Sequence, residues 1–253
     1  MTIRPGFLPK AILLATLSGL GCSKSQPGPQ TSATPAITVD PATAGSISGV
    51  VSFAGPRPKT IMLDMSQDPS CPSKPQPSEV FVVNDGKLAN VFVYVKEGLP
   101  SRRFPVPSEP VVLDQKGCRY IPHMLGLMAG QPLKILNSDT ADHNVHNMPS
   151  KNPQWNESQM TGDPPVLKTF PNPEVMIPLQ CNQHPWMRAY VNVMSHPYFA
   201  VSAADGKFTI PNLPPGDYTV AAVHEKFGEQ TMKLKVGAKA AAKADFIFAQ
   251  GQL

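Results

Sequence analysis

The chain has 253 residues, and its 30 Pro and 18 Gly exceed the usual combined share of about 12%, while its charged fraction of 16% falls short of the usual value of about 25%. A hydrophobic fraction of 41% is enough to bury a core and excludes a highly charged disordered chain; prolines along most of the length exclude a helix-rich fold, and a lone short apolar run excludes a polytopic membrane protein. The net charge of +4 comes without a long basic run, so nucleic acid is excluded as the expected partner.

Residues 1–10 carry Arg4 and Lys10 and no acid, Ala11 to Leu20 is apolar, and Gly21-Cys22 follows. A basic start, a short apolar run and small residues at its end predict a signal peptide over residues 1–21, too short to span a bilayer. Cys22 stands where bacterial lipoprotein signals place their lipidated cysteine, although Gly19 occupies the position at which those signals usually carry Leu. That resemblance implies a periplasmic or outer-membrane lipoprotein that touches the membrane only through an anchor on Cys22. Loss of residues 1–21 lowers the basic count from 22 to 20 against 18 acids, a nearly neutral mature chain. Residues 22–45 are rich in Ser, Thr, Pro and Ala and read as a flexible tether.

The remainder predicts an all-β fold of short strands punctuated by turn residues. Ser46–Phe53, Val80–Val83 and Asn90–Val95 are the first strand candidates, with Asn84-Asp85-Gly86 as a turn signal between the second and third. The middle candidates are Val111–Leu113, Pro132–Asn137, His143–Val145, Val175–Gln180 and Tyr190–Met194, with residues 148–169 expected as a long polar loop. Phe199–Val201, Lys207–Ile210, Tyr218–Val223, Met232–Val236 and Asp245–Phe248 close the chain.

The cysteines are Cys22, Cys71, Cys118 and Cys181. With Cys22 lipidated in an oxidising compartment, three remain: one disulfide and one thiol with another task. Cys181-Asn182-Gln183-His184-Pro185-Trp186-Met187 supplies that task, since it places a thiolate donor, an imidazole and a thioether in one loop between two strands. Cys71–Cys118 is then the disulfide by elimination. Soft sulfur donors with imidazole select copper, and a His₂Cys set with a weak axial Met is the electron-transfer pattern. The second imidazole is expected from His143, with His146 as runner-up; residues three apart on a strand face opposite sides, so one of them enters the site. Asn144 is expected to brace the ligand loop from behind. Zinc held by His143, His146, Cys181 and His184 is the alternative, and it leaves Met187 without a role. His123 is expected to be structural, and His196 and His224 to be surface or packing residues.

Two resemblances organise these residues. The ligand loop, with Arg188 after Met187, and the run His143-Asn144-Val145-His146 resemble the amicyanin-type cupredoxins, and Tyr120-Ile121-Pro122 and Gly130–Asn137 are similar to the first strands of that family. The sequence departs from that pattern at Asp142, before the first ligand, and at Pro178-Leu179-Gln180, before the cysteine. The resemblance implies a Greek-key sandwich over residues 105–195, His143 as first ligand, and His184 as a solvent-facing electron port ringed by a contact patch of Pro185 and Trp186. The outer stretches, including Ile47–Val51, Ala89–Val93, Asp205–Ile210 and Leu213–Val220, are similar to the carboxypeptidase-regulatory-like β-sandwich. Residues 46–104 and 196–253 would form that second domain, with the cupredoxin-like one inserted in it or joined to it.

The function so implied is one-electron transfer by a type 1 copper site, with redox proteins such as cytochromes or dehydrogenases as partners. The alternative is a metal-stabilised surface binding module without redox function. A copper oxidoreductase needs a further catalytic copper centre, and the sequence offers no second multi-histidine cluster.

Overall fold

The computed structural model describes residues 39–250; the expected signal peptide, Cys22 and the first part of the tether lie outside the described residues. The first block of chain forms β1 (Gly45–Ala54), β2 (Met62–Leu63), β3 (Gln76–Pro77), β4 (Val83–Asn84), β5 (Lys87–Leu88) and β6 (Phe92–Glu97). The middle block forms β7 (Val111–Gln115), β8 (Tyr120–Ile121), β9 (Met124–Met128), β10 (Leu133–Asn137), β11 (His143–Asn147), β12 (Asn156–Gln159), β13 (Val166–Lys168), β14 (Glu174–Gln180) and β15 (Arg188–Met194). The last block forms β16 (Phe199–Val201), β17 (Lys207–Leu213), β18 (Gly216–His224), β19 (Gly228–Val236), β20 (Ala241–Lys243) and β21 (Phe246–Ala249). The described residues contain no helix, and the fold is all-β.

Strands β7 to β15 pair only with one another, in a four-stranded sheet β13-β10-β7-β8 and a five-stranded sheet β12-β11-β14-β15-β9. The outer blocks supply a six-stranded sheet centred on β1 and a four-stranded sheet β16-β6-β18-β19. The chain leaves the outer sheets after β6 and returns at β16, and these two strands are neighbours, with Phe92 opposite Val201. Strands β7 to β15 therefore depart from and return to one place in the outer sheets.

Period-two alternation explains how the two bodies join. Val91, just before β6, and Val93 and Val95 on it enter the outer core, while Phe92 and Tyr94 point the other way, onto the middle block. On β18, Val220 and Ala222 face the outer core, and Ala221 and Val223 join Phe92, Tyr94, Met124 and Met194 between the bodies. The first four residues of β6 and the last five of β18 are buried on both faces, so they read as continuous apolar runs. At this junction Gly126 of β9 is required by space, since a Cβ there would sit 2.6 Å from Phe92 and 2.7 Å from Phe199.

Two expectations about local structure need correction. The Asp85-Gly86 turn, both residues with positive φ, joins β4 to β5 rather than Val80–Val83 to Asn90–Val95. Its two-residue loop fixes a short hairpin, and Asn90, also at positive φ, breaks the chain before β6. Residues 148–169 are not a single loop: β12 pairs along β11, and β13 along β10. Both are sheet edges held by backbone pairing, which polar sequences such as Asn156–Gln159 satisfy without hydrophobic alternation.

Candidate metal centre

Residues 181–187 connect β14 to β15, whose last and first residues, Gln180 and Arg188, are paired. The loop closes on itself through Cys181 N–H to Met187 O (3.3 Å) and Met187 N–H to His184 O (2.9 Å). This turn buries Cys181, His184 and Met187 and leaves Asn182, Gln183 and Pro185 outside. Strand β11 runs beside β14, with His146 opposite Gln180, and brings His143, itself buried, over the loop.

The ligand atoms of His143, Cys181 and His184 lie within 4.8 Å of one another. The two Nδ1 atoms are 2.9 Å apart, and Cys181 Sγ is 3.6 Å from His184 Nδ1. The far nitrogen of each ring donates to a carboxylate: His143 Nε2–H to Asp139 Oδ2 and His184 Nε2–H to Asp68 Oδ2, each at 2.9 Å. With Nε2 turned to a carboxylate, Nδ1 is the nitrogen of each ring that faces inward, and both Nδ1 atoms converge with the sulfur. A cation satisfies all three donors there, so the residues fit a copper ion. Burial holds the His143 imidazole below its ordinary range, against the opposing hydrogen bond to Asp139, and so favours the neutral ring a metal needs. The hydrogen bond from His184, with that from Ser70, holds the Asp68 carboxyl below the usual carboxylate range.

The remaining expected residues fall as follows. His146, the runner-up ligand, stays outside the cluster: its Nδ1–H donates to Asn182 Oδ1 (3.2 Å), and Gln154 Nε2 donates to its Nε2 (2.7 Å). The four-donor zinc set is therefore not assembled; its backbone requirement fails because positions 143 and 146 face opposite sides of β11. Asn144 Oδ1 accepts Asn182 N–H (2.8 Å) and lies 3.3 Å from Cys181 Sγ, which ties the loop to β11. Met187 is fully buried in the same core cluster as Cys181. Cys71 and Cys118 form a disulfide, and Cys181 is a free buried thiol. His123 forms a buried ion pair with Glu225 (2.5 Å), and His196 and His224 pack against aromatic rings.

The solvent-facing port expected at His184 is absent: the side chain is only 4% exposed. Trp186 is half-buried, its ring 5.1 Å from that of His184 and its Nε1–H donating to Cys118 O (3.1 Å), while Pro185 alone of the expected patch is exposed. The outer nitrogen of His184 is hydrogen-bonded to Asp68, which lies on the segment between β2 and β3. Met65 of this segment is buried in the middle core, and burying such a side chain is worth roughly 1.5–3 kcal/mol, more than any of its surface hydrogen bonds. Asp68 and Asp139 were not found from the sequence. Asp139 stands in an ordinary turn, and Asp68 lies 116 residues from His184, with the nearby Cys71 as the only hint.

No protein-family model matches the chain, and no curated protein matches it in sequence. Solved structures align with part of it. Amicyanin from Paracoccus versutus (Thiobacillus versutus) is 22% identical over 40% of this chain and 96% of its own, with a TM-score of 0.31. A purple cupredoxin from Nitrosopumilus maritimus is 21% identical over 32% of this chain and 97% of its own, with a TM-score of 0.28. A Cu-containing nitrite reductase from Thermus scotoductus is 17% identical over 40% of this chain and has a TM-score of 0.32; the chain spans only 26% of its length. At such values the donor set, and not the likeness, carries the functional reading.

Proposed function

We propose that this chain is an envelope electron carrier whose copper is held by His143, Cys181 and His184, with Met187 as the axial donor. The observation that supports it is the convergence of two imidazole Nδ1 atoms and one thiol sulfur within 4.8 Å, in a buried loop that also buries a methionine. Copper bound there supplies a reversible one-electron couple. The chain's own residues supply rigidity. Asp139 and Asp68 orient the two rings, Asn144 ties the ligand loop to β11, and the Cys181–Met187 backbone bond fixes the loop's ends. Donors held in this way need little rearrangement between oxidation states.

In this reading the middle sandwich is a cupredoxin-like domain inserted in a carboxypeptidase-regulatory-like sandwich. The mature chain hangs from a lipid on Cys22 at the periplasmic side of a membrane, and its partners are redox proteins such as cytochromes or dehydrogenases. Addition of Cu(II) to the purified chain, followed by visible absorption and EPR, tests the centre. An intense blue band with narrow copper hyperfine splitting is expected, and Cys181→Ser is expected to abolish it. A protein that stays colourless overturns the reading, and one that retains only zinc does so in favour of a metal-stabilised binding module.

A further inference from the structure

The segment between β2 and β3 is built as a cover. Its ends are held together by the β2–β3 ribbon, with Met62 opposite Pro77 and Leu63 opposite Gln76. Residues 64–75 reach from that base over the ligand loop, the shape of a compact surface loop with adjacent ends. Two anchors fix it to the middle sandwich: Met65, 1% exposed in that core, and the Cys71–Cys118 disulfide. Between the anchors the chain is wound tightly, with Asp68 N–H donating to Met65 O (3.2 Å) and Cys71 N–H to Asp68 O (3.0 Å). Both carboxylate oxygens of Asp68 are committed: Oδ1 accepts Ser70 N–H (2.8 Å), and Oδ2 accepts His184 Nε2–H (2.9 Å). The disulfide partner Cys118 is itself joined to the ligand loop, since Trp186 Nε1–H donates to the Cys118 carbonyl.

We propose that this disulfide-anchored loop closes the solvent edge of the metal centre, with Asp68 as a positioning residue that holds the His184 ring. The proposal rests on the copper reading for its consequence and not for its geometry. An imidazole whose outer nitrogen is hydrogen-bonded to a fixed carboxylate keeps Nδ1 directed inward, and its ring edge is withheld from direct contact. Electron exchange then passes across the cover or beside Trp186, and small reagents in solution meet the cover instead of the ring. The cover is supplied by the chain block that precedes the middle sandwich, so the outer domain takes part in the site.

The test uses the full chain without metal and reads the exchange of the His184 Nε2–H proton with solvent by ¹⁵N-edited NMR. Asp68→Ala is expected to speed exchange roughly tenfold, the equivalent of one charge-assisted hydrogen bond. Asp68→Asn, which keeps an acceptor oxygen, is expected to fall between it and the parent chain. Equal exchange in the parent and Asp68→Ala overturns the proposal. In the copper-loaded chain first reduced to Cu(I), Asp68→Ala and the pair Cys71→Ser with Cys118→Ser are expected to accelerate one-electron oxidation to Cu(II) by an uncharged small-molecule oxidant. Unchanged rates in both variants overturn the covering role even if the hydrogen bond is real. A colourless chain with a protected His184 proton refutes the copper reading alone, and a blue chain with an unprotected one refutes the cover alone.

Discussion

Asp139 binds His143 to the turn that carries Cys118. Its Oδ2 accepts His143 Nε2–H (2.9 Å) and Cys118 N–H (2.8 Å), and its Oδ1 accepts Gly117 N–H (2.6 Å). One carboxylate thus contacts both the His143 ring, a proposed ligand, and a tight turn in which both Gly117 and Cys118 have positive φ. Removal of such a partner usually costs about 10–100-fold in metal affinity. Asp139→Ala is therefore expected to weaken copper by that factor while leaving the blue band in place, because no donor is lost. Competition against a chelator measures it, and unchanged affinity would show that the turn, and not the ligand, is what Asp139 serves.

Met187 is wholly buried, and its backbone closes the ligand loop through both its amide and its carbonyl. Leu preserves the volume and the backbone bonds, so Met187→Leu is expected to cost less than about 1.5 kcal/mol in stability. It removes the thioether, which in the proposed site is the weak donor that tunes the potential. Retained colour with a raised reduction potential is the expected result in a redox titration. A potential that falls or stays put would place Met187 in the core and out of the site.

Much of this site was legible because its donors sit close together in sequence. Cys181, His184 and Met187 occupy one loop, and two-residue periodicity separates His143 from His146. The disulfide followed from counting, since the loop context of Cys181 left Cys71 and Cys118 to pair. The cover over His184 was not legible: Asp68 belongs to a distant segment with no periodic pattern, and a hydrogen bond across 116 residues leaves no local trace. Strands β12 and β13 were missed for a different reason. Gln159, in the polar stretch Asn156–Gln159, is buried and donates to the carbonyls of Ile135 and Pro164 (3.3 and 3.2 Å), so the segment is held by amide bonding that mimics no hydrophobic pattern.

The junction between the two sandwiches depends on the missing side chain of Gly126. A methyl group there would press on the rings of Phe92 and Phe199, at 2.6 and 2.7 Å, and overpacking of this kind costs about 1–3 kcal/mol. Gly126→Ala is expected to lower the urea midpoint accordingly and to leave the copper spectrum unaltered, since the contact lies between the bodies and away from the 181–187 loop. A loss of colour at native stability would show instead that the junction and the metal centre are mechanically coupled.

Acid sensitivity is expected from two histidines that play no part at the metal. Burial pushes His196 and His224 down to about 4; His224 stacks on Phe227 (ring centroids 4.7 Å apart), and its Nε2 has no hydrogen-bond partner. In the unfolded chain both rings take up protons near their ordinary value of about 6.5, so between there and about 4 the unfolded state binds more protons. Stability therefore falls as pH drops through that window, by on the order of 3 kcal/mol per ring when the window is crossed in full. His224→Phe keeps the aromatic packing but forfeits the Lys226 N–H bond to Nδ1 (3.1 Å), a loss of about 1 kcal/mol at pH 7. Its unfolding free energy is expected to start lower and to decline less steeply between pH 6.5 and 5. A slope equal to that of the parent chain would assign the acid sensitivity to groups other than His224.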